Sequence, residues 1–368
     1  MSTPTRFPLL KLPLLALAAV VNLMSPDTIL RLSFHSKVFK SSLSIVKWKI
    51  ESFKWRIIGC RIVVVLNSNF GPFRFEIGTQ SDFKGMLKEG IRIGTINLNG
   101  TTESLLECTE IFESKWLLIP ENLKYSNKYI KFKSQLDTLE HLTNFLMTFV
   151  KCSKFKLDYL LETNLIPLDF FVLQYVKGSP LDLQTDGIYG NELKMTPDDL
   201  KFLPENLKFG KLDLNVCVGG RNFEYQGFVE AKELRNQGDR TLIGLRNLNR
   251  QKVILYTAFE NSEQIEQIMK NWIQGASMEN LEYLQLYKPR NFNPDEFLRD
   301  LKHENSRFSR ADIRTRIGGI DVFGDIQRES DGRWGTLCED LYRLYFIVWT
   351  PETLKKCCQK TRIKLGLE

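Results

Sequence analysis

A chain of 368 residues, 43% hydrophobic and 26% charged, is long enough for two or three packed units and has the composition of a folded protein, not a disordered one. Its net charge of +7 comes from 51 basic residues scattered among 44 acids, without the concentrated patch of a dedicated nucleic-acid binder. Seven cysteines with no Cys-x-x-Cys pair, and histidines only at His35, His141 and His303, offer neither a disulfide framework nor a zinc site.

The chain opens with Arg6 and an apolar stretch from Leu9 to Met24. A secretory signal and a membrane span both begin this way. Lys11, Pro13 and Asn22 interrupt the stretch, which falls short of the ~20 apolar residues of a span. Lys11 and Pro13 also break the apolar middle that a signal needs, but the signal reading stays open as an alternative. Leu14 to Met24 predicts a first helix. Ser25-Pro26-Asp27 then supplies an N-cap, a first-turn proline and an early acid, so a second helix is expected from there to about Lys37. Its apolar residues form two stripes: Leu30, Phe34 and Val38, and Ile29 and Leu32 with Phe39 just beyond. A helix apolar on two faces needs cover on two faces, from the rest of the chain or from a partner.

Residues 46–135 change character. Arg61–Leu66 and Phe73–Ile77 are β-type runs separated by the turn-forming Asn67-Ser68-Asn69-Phe70-Gly71-Pro72, and Ile91–Leu98 alternates again. Leu136–Val150 predicts an amphipathic helix with Leu139, Leu142, Phe145, Leu146, Phe149 and Val150 on one side. Phe155–Leu161 and Leu207–Leu214 are expected strands, with loops at Asp186-Gly187 and Tyr189-Gly190 and a helical turn after Pro197. Val253–Tyr256, the Ser262–Ile273 helix and Leu281–Leu286 make a strand–helix–strand cycle of about 30 residues. That fits an irregular leucine-rich-repeat-like stack, and equally an ordinary βαβ unit. Ile320–Gln327 and Arg333–Leu337 flank an Asp331-Gly332 hairpin signal, and Leu344–Trp349 is dense enough to be a central strand. Residues 351–368 are expected to be a solvated, frayed basic tail.

No motif in this sequence specifies chemistry. A Walker-type loop and a G-x-S-x-G elbow are missing, and Gly318-Gly319 with Gly324 do not form a dinucleotide fingerprint. A Cys338–His303 pair would have to be assembled from separate loops, and each cysteine is expected to be a small buried apolar residue. The expectation is therefore a non-catalytic protein with no cofactor, no metal, no nucleic acid and no small-molecule substrate. An α/β enzyme with a scattered site remains the other alternative.

Two regions together carry a resemblance. Phe7-Pro8-Leu9-Leu10-Lys11-Leu12-Pro13-Leu14-Leu15, the break at Ser25-Pro26-Asp27, and Ile29, Leu30, Leu32, Ser33, Phe34, Ser36, Val38 and Phe39 resemble an F-box. The acid usual after Leu-Pro is replaced by Leu14 and Leu15, and Phe39 stands where many members carry Trp. Trp272-Ile273-x-Gly275, Leu281-Glu282-Tyr283-Leu284, Gly319-x-Asp321, Asp331-Gly332-Arg333 and Phe346-x-Val348-Trp349 are similar to the type 2 F-box-associated domain of a large nematode group. The resemblance implies α+β / α/β architecture in four parts. An F-box at 7–45 is followed by a β-rich segment at 46–135. An F-box-associated, leucine-rich-repeat-like domain at 136–350 has a β-rich end, and a tail closes the chain at 351–368. It implies a substrate receptor of a Skp–cullin–F-box ubiquitin ligase in the cytoplasm or nucleus. Leu12, Pro13, Leu15, Pro26, Ile29, Leu30, Leu32, Phe34 and Phe39 would bind a Skp-family adaptor, and through it cullin and RING subunits. The C-terminal domain would hold an unidentified target protein.

Overall fold

A computed structural model describes residues 9–59, 61–78, 91–98, 101–110, 113–120, 128–161, 175–176, 178–187, 193–218, 227–237, 245–259, 262–289, 292–299, 301, 303–308, 310–314, 321–355 and 357–364. Phe7-Pro8, Tyr189-Gly190 and Gly318-Gly319 lie outside them. Two compact units emerge, the first formed by 1–162 with 169–182 and the second by 163–168 with 183–368. The expected divide at residue 136 therefore falls inside the first unit.

The first unit opens with a 3-10 turn at Leu9–Lys11 and helices α1 (Leu14–Asn22), α2 (Pro26–His35) and α3 (Lys37–Val46). Ser25 caps α2 by accepting the Thr28 N–H, and Pro26 sits at the first helical position, as the sequence signals. The second helix stops two residues early. Ser36 takes extended backbone angles, accepts the Phe39 N–H at 3.1 Å and starts a third helix. The phase therefore resets at Ser36: Phe39 turns inward and Val38 turns out.

Next come β1 (Trp48–Lys49), β2 (Ser52–Ile58), β3 (Arg61–Ser68) and β4 (Gly71–Ile77). β5 (Ile91–Leu98), β6 (Thr101–Glu110) and β7 (Glu113–Pro120) are described as backbone. Helix α4 (Lys128–Met147), β8 (Val150–Lys151) and β9 (Phe155–Leu161) follow. The sheet order is β9-β2-β3-β4-β7-β6-β5, with β1 paired to β8 separately. α4 covers one face through Leu139, Leu142, Phe145 and Leu146, all buried. The Trp55 indole N–H donates to the Thr143 hydroxyl at 3.0 Å, which fixes that helix against β2. The other face is ionic: Asp158 holds Lys54 at 2.6 Å and Arg56 at 3.1 Å, and Glu76 holds Arg61 at 2.7 Å. Ile62–Leu66 are buried on both sides of β3, and ion pairs over aliphatic stems cover what α4 does not.

Strand β10 (Leu181–Gly187) takes up Asp186-Gly187 as its end, where a loop was expected. The second unit continues with β11 (Leu193–Met195), α5 (Pro197–Asn206), β12 (Phe209–Leu214) and β13 (Val216–Val218). β14 (Ala231–Asn236), α6 (Leu245–Leu248), β15 (Lys252–Ala258), α7 (Ser262–Ile273) and β16 (Tyr283–Tyr287) follow. The unit ends with α8 (Pro294–Arg299), α9 (Arg310–Arg314), β17 (Asp321–Gln327), β18 (Trp334–Glu339), β19 (Arg343–Val348), α10 (Pro351–Leu354) and α11 (Gln359–Lys364). β12, β14, β15 and β16 are successively parallel, and β19, β18 and β17 continue the sheet antiparallel.

Side-chain alternation splits this sheet into two faces. Val253, Leu255, Leu284, Leu286, Phe346 and Val348 join Ile265, Met269 and Trp272 of α7 in one core. On the opposite face Tyr345, Ile347, Cys338 and Trp349 meet Phe308, Ile313 and Cys357. Residues 351–355 and 357–364 are thus docked, not frayed. Thr350 and Thr353 form a capping box, and buried Asp312 accepts the Cys358 N–H at 2.6 Å and the Thr361 hydroxyl.

Gly275, at φ +75°, ends α7, and the cation of buried Arg328 sits at that helix terminus. Arg328 Nε donates to the Trp272 carbonyl at 3.1 Å, Nη2 to Ser277 O at 3.2 Å and Nη1 to Asp331 at 3.0 Å. The Trp272–Gly275 and Asp331–Arg333 segments, distant in sequence, meet at this one guanidinium.

Candidate adaptor-binding surface

The three N-terminal helices bury one residue set and expose another. Leu17 and Val21 of α1, Ile29, Leu30 and Ser33 of α2, and Phe39 and Leu43 of α3 are buried. Fully burying a leucine or isoleucine stabilises by about 1.5–3 kcal/mol, so this small core holds the module together. The module is tied to its own unit as well. Phe34 stacks on Phe145 at 5.0 Å, and Lys40 lies 4.1 Å from the same ring. Lys47 Nζ donates to Thr148 O at 2.6 Å, and the Lys49 N–H donates to the Asn22 side chain at 3.2 Å. Burial holds the Lys40 ammonium below its usual pKa.

The nine residues the resemblance assigns to an adaptor therefore divide. Pro26, Ile29, Leu30 and Phe39 are buried within the chain, and Phe34 spends its ring on Phe145. Leu12 and Leu32 are half-buried, while Pro13 and Leu15 face outward. Buried side chains offer a partner no surface, so the outward set is different from the expected one. Leu15 is 86% exposed and Leu23, eight residues on, 76%. On α3 Val38 and Ile45, seven apart, are 63% and 64% exposed. These are i/i+8 and i/i+7 spacings, each a single helical stripe. Leu23 and Ile45 are not among the residues the resemblance names, and Val38, read on one stripe with Leu30 and Phe34, turns outward at the break at Ser36. His35, the last residue of α2, is exposed, and Arg31 pairs with Asp27 at 2.8 Å.

Elsewhere, among the described residues, no group of three His, Cys, Asp or Glu side chains is placed to hold a metal ion. Cys338 is fully buried, its thiol pushed up to about 12 by burial and then by the Asp325 charge. That is the reverse of what a nucleophile requires. His303 is exposed and bonded to Leu301 O at 3.0 Å. Cys357 is buried as expected, whereas Cys152 is half-buried and Cys358 exposed, the latter donating to Asp312 at 3.3 Å. Cys60 lies outside the described residues, as do the side chains of Cys108 and Cys217. A surface hollow in the first unit is lined by Glu51, Ser52, Asn67, Ser68, Lys154 and Lys156, with no histidine or cysteine. Among the described residues, no helix is long and apolar enough to cross a membrane.

Compared with protein-family models, curated proteins and solved structures, the chain gave no match.

Proposed function

We propose that this chain is the substrate-recognition subunit of a Skp–cullin–F-box ubiquitin ligase, with its N-terminal helices holding a Skp-family adaptor and its second unit holding a target protein. The carrying observation is the outward Leu15, Leu23, Val38 and Ile45 on a three-helix module whose Leu17, Val21, Ile29, Leu30, Phe39 and Leu43 are already buried. A small module does not keep several large aliphatic side chains in water without use, because each forgoes about 1.5–3 kcal/mol of burial. An adaptor helix laid against α1 and α3 would recover part of that energy. The successive parallel pairing of β12, β14, β15 and β16 supports the finer reading of the second unit as an irregular leucine-rich-repeat-like stack. In this role the chain supplies proximity between target and ubiquitin-loaded enzyme, and no residue of its own enters the chemistry.

Co-purification of the full-length chain with a Skp-family adaptor tests the proposal. A stable complex that Leu15→Asp disrupts is the expected result. No complex with any adaptor of that family, from protein with a cooperative melting transition, refutes it.

A further inference from the structure

Buried cations in folded proteins have an acidic partner, and buried N–H groups have an acceptor. Arg250, between α6 and β15 of the second unit, departs from both rules. The residue is 4% exposed. Its Nη1 donates to the Asn249 carbonyl at 2.6 Å. Nε and Nη2 are shut off from solvent and, among the described residues, have no hydrogen-bond partner. Arg328, equally buried, spends Nε, Nη1 and Nη2 on acceptors. Glu230 is the acid whose charge Arg250 feels, but Glu230 is exposed and pairs with Lys208 at 3.3 Å. Burial pulls the guanidinium pKa down to about 10, and Glu230 opposes only part of that.

Part of the cover over this guanidinium is an aromatic ring. The centre of the Phe228 ring lies 3.8 Å from the guanidinium carbon, and Phe228 is 52% exposed. The backbone that carries it is clamped on both sides by the fully buried Asn247, which donates to Gly227 O at 3.1 Å and accepts the Val229 N–H at 2.9 Å. Val229 is itself buried, and the Glu230 carbonyl accepts the Phe209 N–H at 2.8 Å. The strand entry is thus fixed, while the half-solvated ring is free to change rotamer about its own side-chain bonds.

We infer that Arg250 anchors a small organic monocarboxylate, which takes the Nε and Nη2 N–H groups side-on when the Phe228 ring turns aside. Those two nitrogens form the planar fork whose parallel N–H bonds match the two oxygens of a carboxylate. A water molecule there would accept a hydrogen bond and leave the charge uncompensated. A monoanion meets both needs. A phosphate dianion would reverse the buried charge instead of cancelling it, so charge balance selects the carboxylate. The site is independent of the ligase reading.

The test is nuclear magnetic resonance of the full chain carrying isotope-labelled arginine, in which the Arg250 Nε–H signal is the one missing from Arg250→Met. Acetate, acetamide and inorganic phosphate are titrated at constant ionic strength. Acetate should shift that signal to saturation, acetamide should leave it in place, and phosphate should bind more weakly than acetate. Arg250→Lys keeps the charge without the fork, and its acetate-induced rise in melting temperature should need about tenfold more acetate or beyond, the worth of one charge-assisted hydrogen bond. Arg250→Met removes an uncompensated buried charge, so it should melt no earlier than the wild type in acetate-free buffer and lose the acetate response. Phe228→Ala, which removes the cover, should bind acetate at least as tightly as the wild type. Arg299→Gln, on the exposed side of α8, should leave both readouts unchanged. The inference is overturned by an Arg250 signal that ignores acetate, an equal response to acetamide, or tighter binding of phosphate. It is also overturned if Phe228→Ala weakens acetate binding, if Arg299→Gln abolishes it, or if Arg250→Met melts several degrees early or fails to fold, which would make Arg250 a structural residue.

Discussion

Leu15→Asp and Leu30→Ala make a matched pair that separates binding from folding. Leu15 is 86% exposed on α1, so in the free chain its side chain contributes little to stability. Its replacement should leave the melting temperature nearly unchanged, as surface substitutions usually fall within about 0.5 kcal/mol. Covering that side chain with an adaptor would recover up to about 1.5–3 kcal/mol, and a carboxylate there adds a desolvation cost. Adaptor affinity should therefore fall by roughly ten- to several-hundred-fold, from ~1.4 kcal/mol per factor of ten. Leu30 has no exposed surface, and truncating it leaves a cavity that costs about 2–5 kcal/mol of stability. Thermal denaturation and adaptor binding by biolayer interferometry are measured on both variants. The reasoning is refuted if Leu15→Asp melts as early as Leu30→Ala, or if it binds adaptor with unchanged affinity.

Four further outcomes are expected. Arg328→Met removes a buried guanidinium that satisfies the Trp272 and Ser277 carbonyls, and should cost about 2–4 kcal/mol in urea unfolding; a change under 1 kcal/mol contradicts the capping role. Trp55→Phe leaves the Thr143 hydroxyl without its indole donor between β2 and α4, a loss of about 1–3 kcal/mol that Trp55→Phe/Thr143→Val should partly restore in a double-mutant cycle. Burial alone would raise Asp331 and Asp340. Hydrogen bonds outweigh it, from Arg333 to Asp331 and from Tyr345 and nearby N–H groups to Asp340, and hold both below the usual carboxylate range. A lowered folded-state pKa contributes stability that is present above the unfolded value of about 3.9 and lost as pH falls through the folded one. Asp331→Asn and Asp340→Asn should therefore flatten the acid limb of a stability–pH curve below about pH 4 and leave its slope above pH 6 unaltered. Finally, Cys358→Ser should remove a fast-reacting thiol from a native Ellman assay, whereas Cys338→Ser should leave the fast phase intact, since Cys338 becomes accessible only on unfolding.

Local signals made much of the fold legible. Ser25-Pro26 set the start of α2, and the 3.6-residue pattern of Ile265, Ile268, Met269 and Trp272 set the buried side of α7. The Asp331-Gly332 turn joined β17 to β18, and the apolar run at Leu344 gave a strand buried on both faces, between β18 and β16. Each is decided within about one helical turn or one hairpin, where backbone preference and period suffice. Ser36 was read as part of a continuous helix because serine is tolerated inside helices as well as at caps. That single phase error put Val38 on one stripe with Leu30, whereas Leu30 is buried and Val38 exposed.

The sequence by itself determined several of the helices and strands, α2, α7, β3, β4 and β19 among them, and that the N-terminal helices carry more apolar residues than one face can bury. Tertiary structure decided which of those residues remain outside. Burial of Ile29, Leu30 and Phe39, and the stacking of Phe34 on Phe145, depend on pairing α2 and α3 with each other and with α4, more than 100 residues away. The contacts among Arg235, Tyr256, Tyr287 and Arg343 were equally invisible in one dimension. These residues lie on four strands, and only register brings them into line. Local propensity depends on neighbours in sequence, whereas a binding surface is made by residues that long-range pairing places side by side.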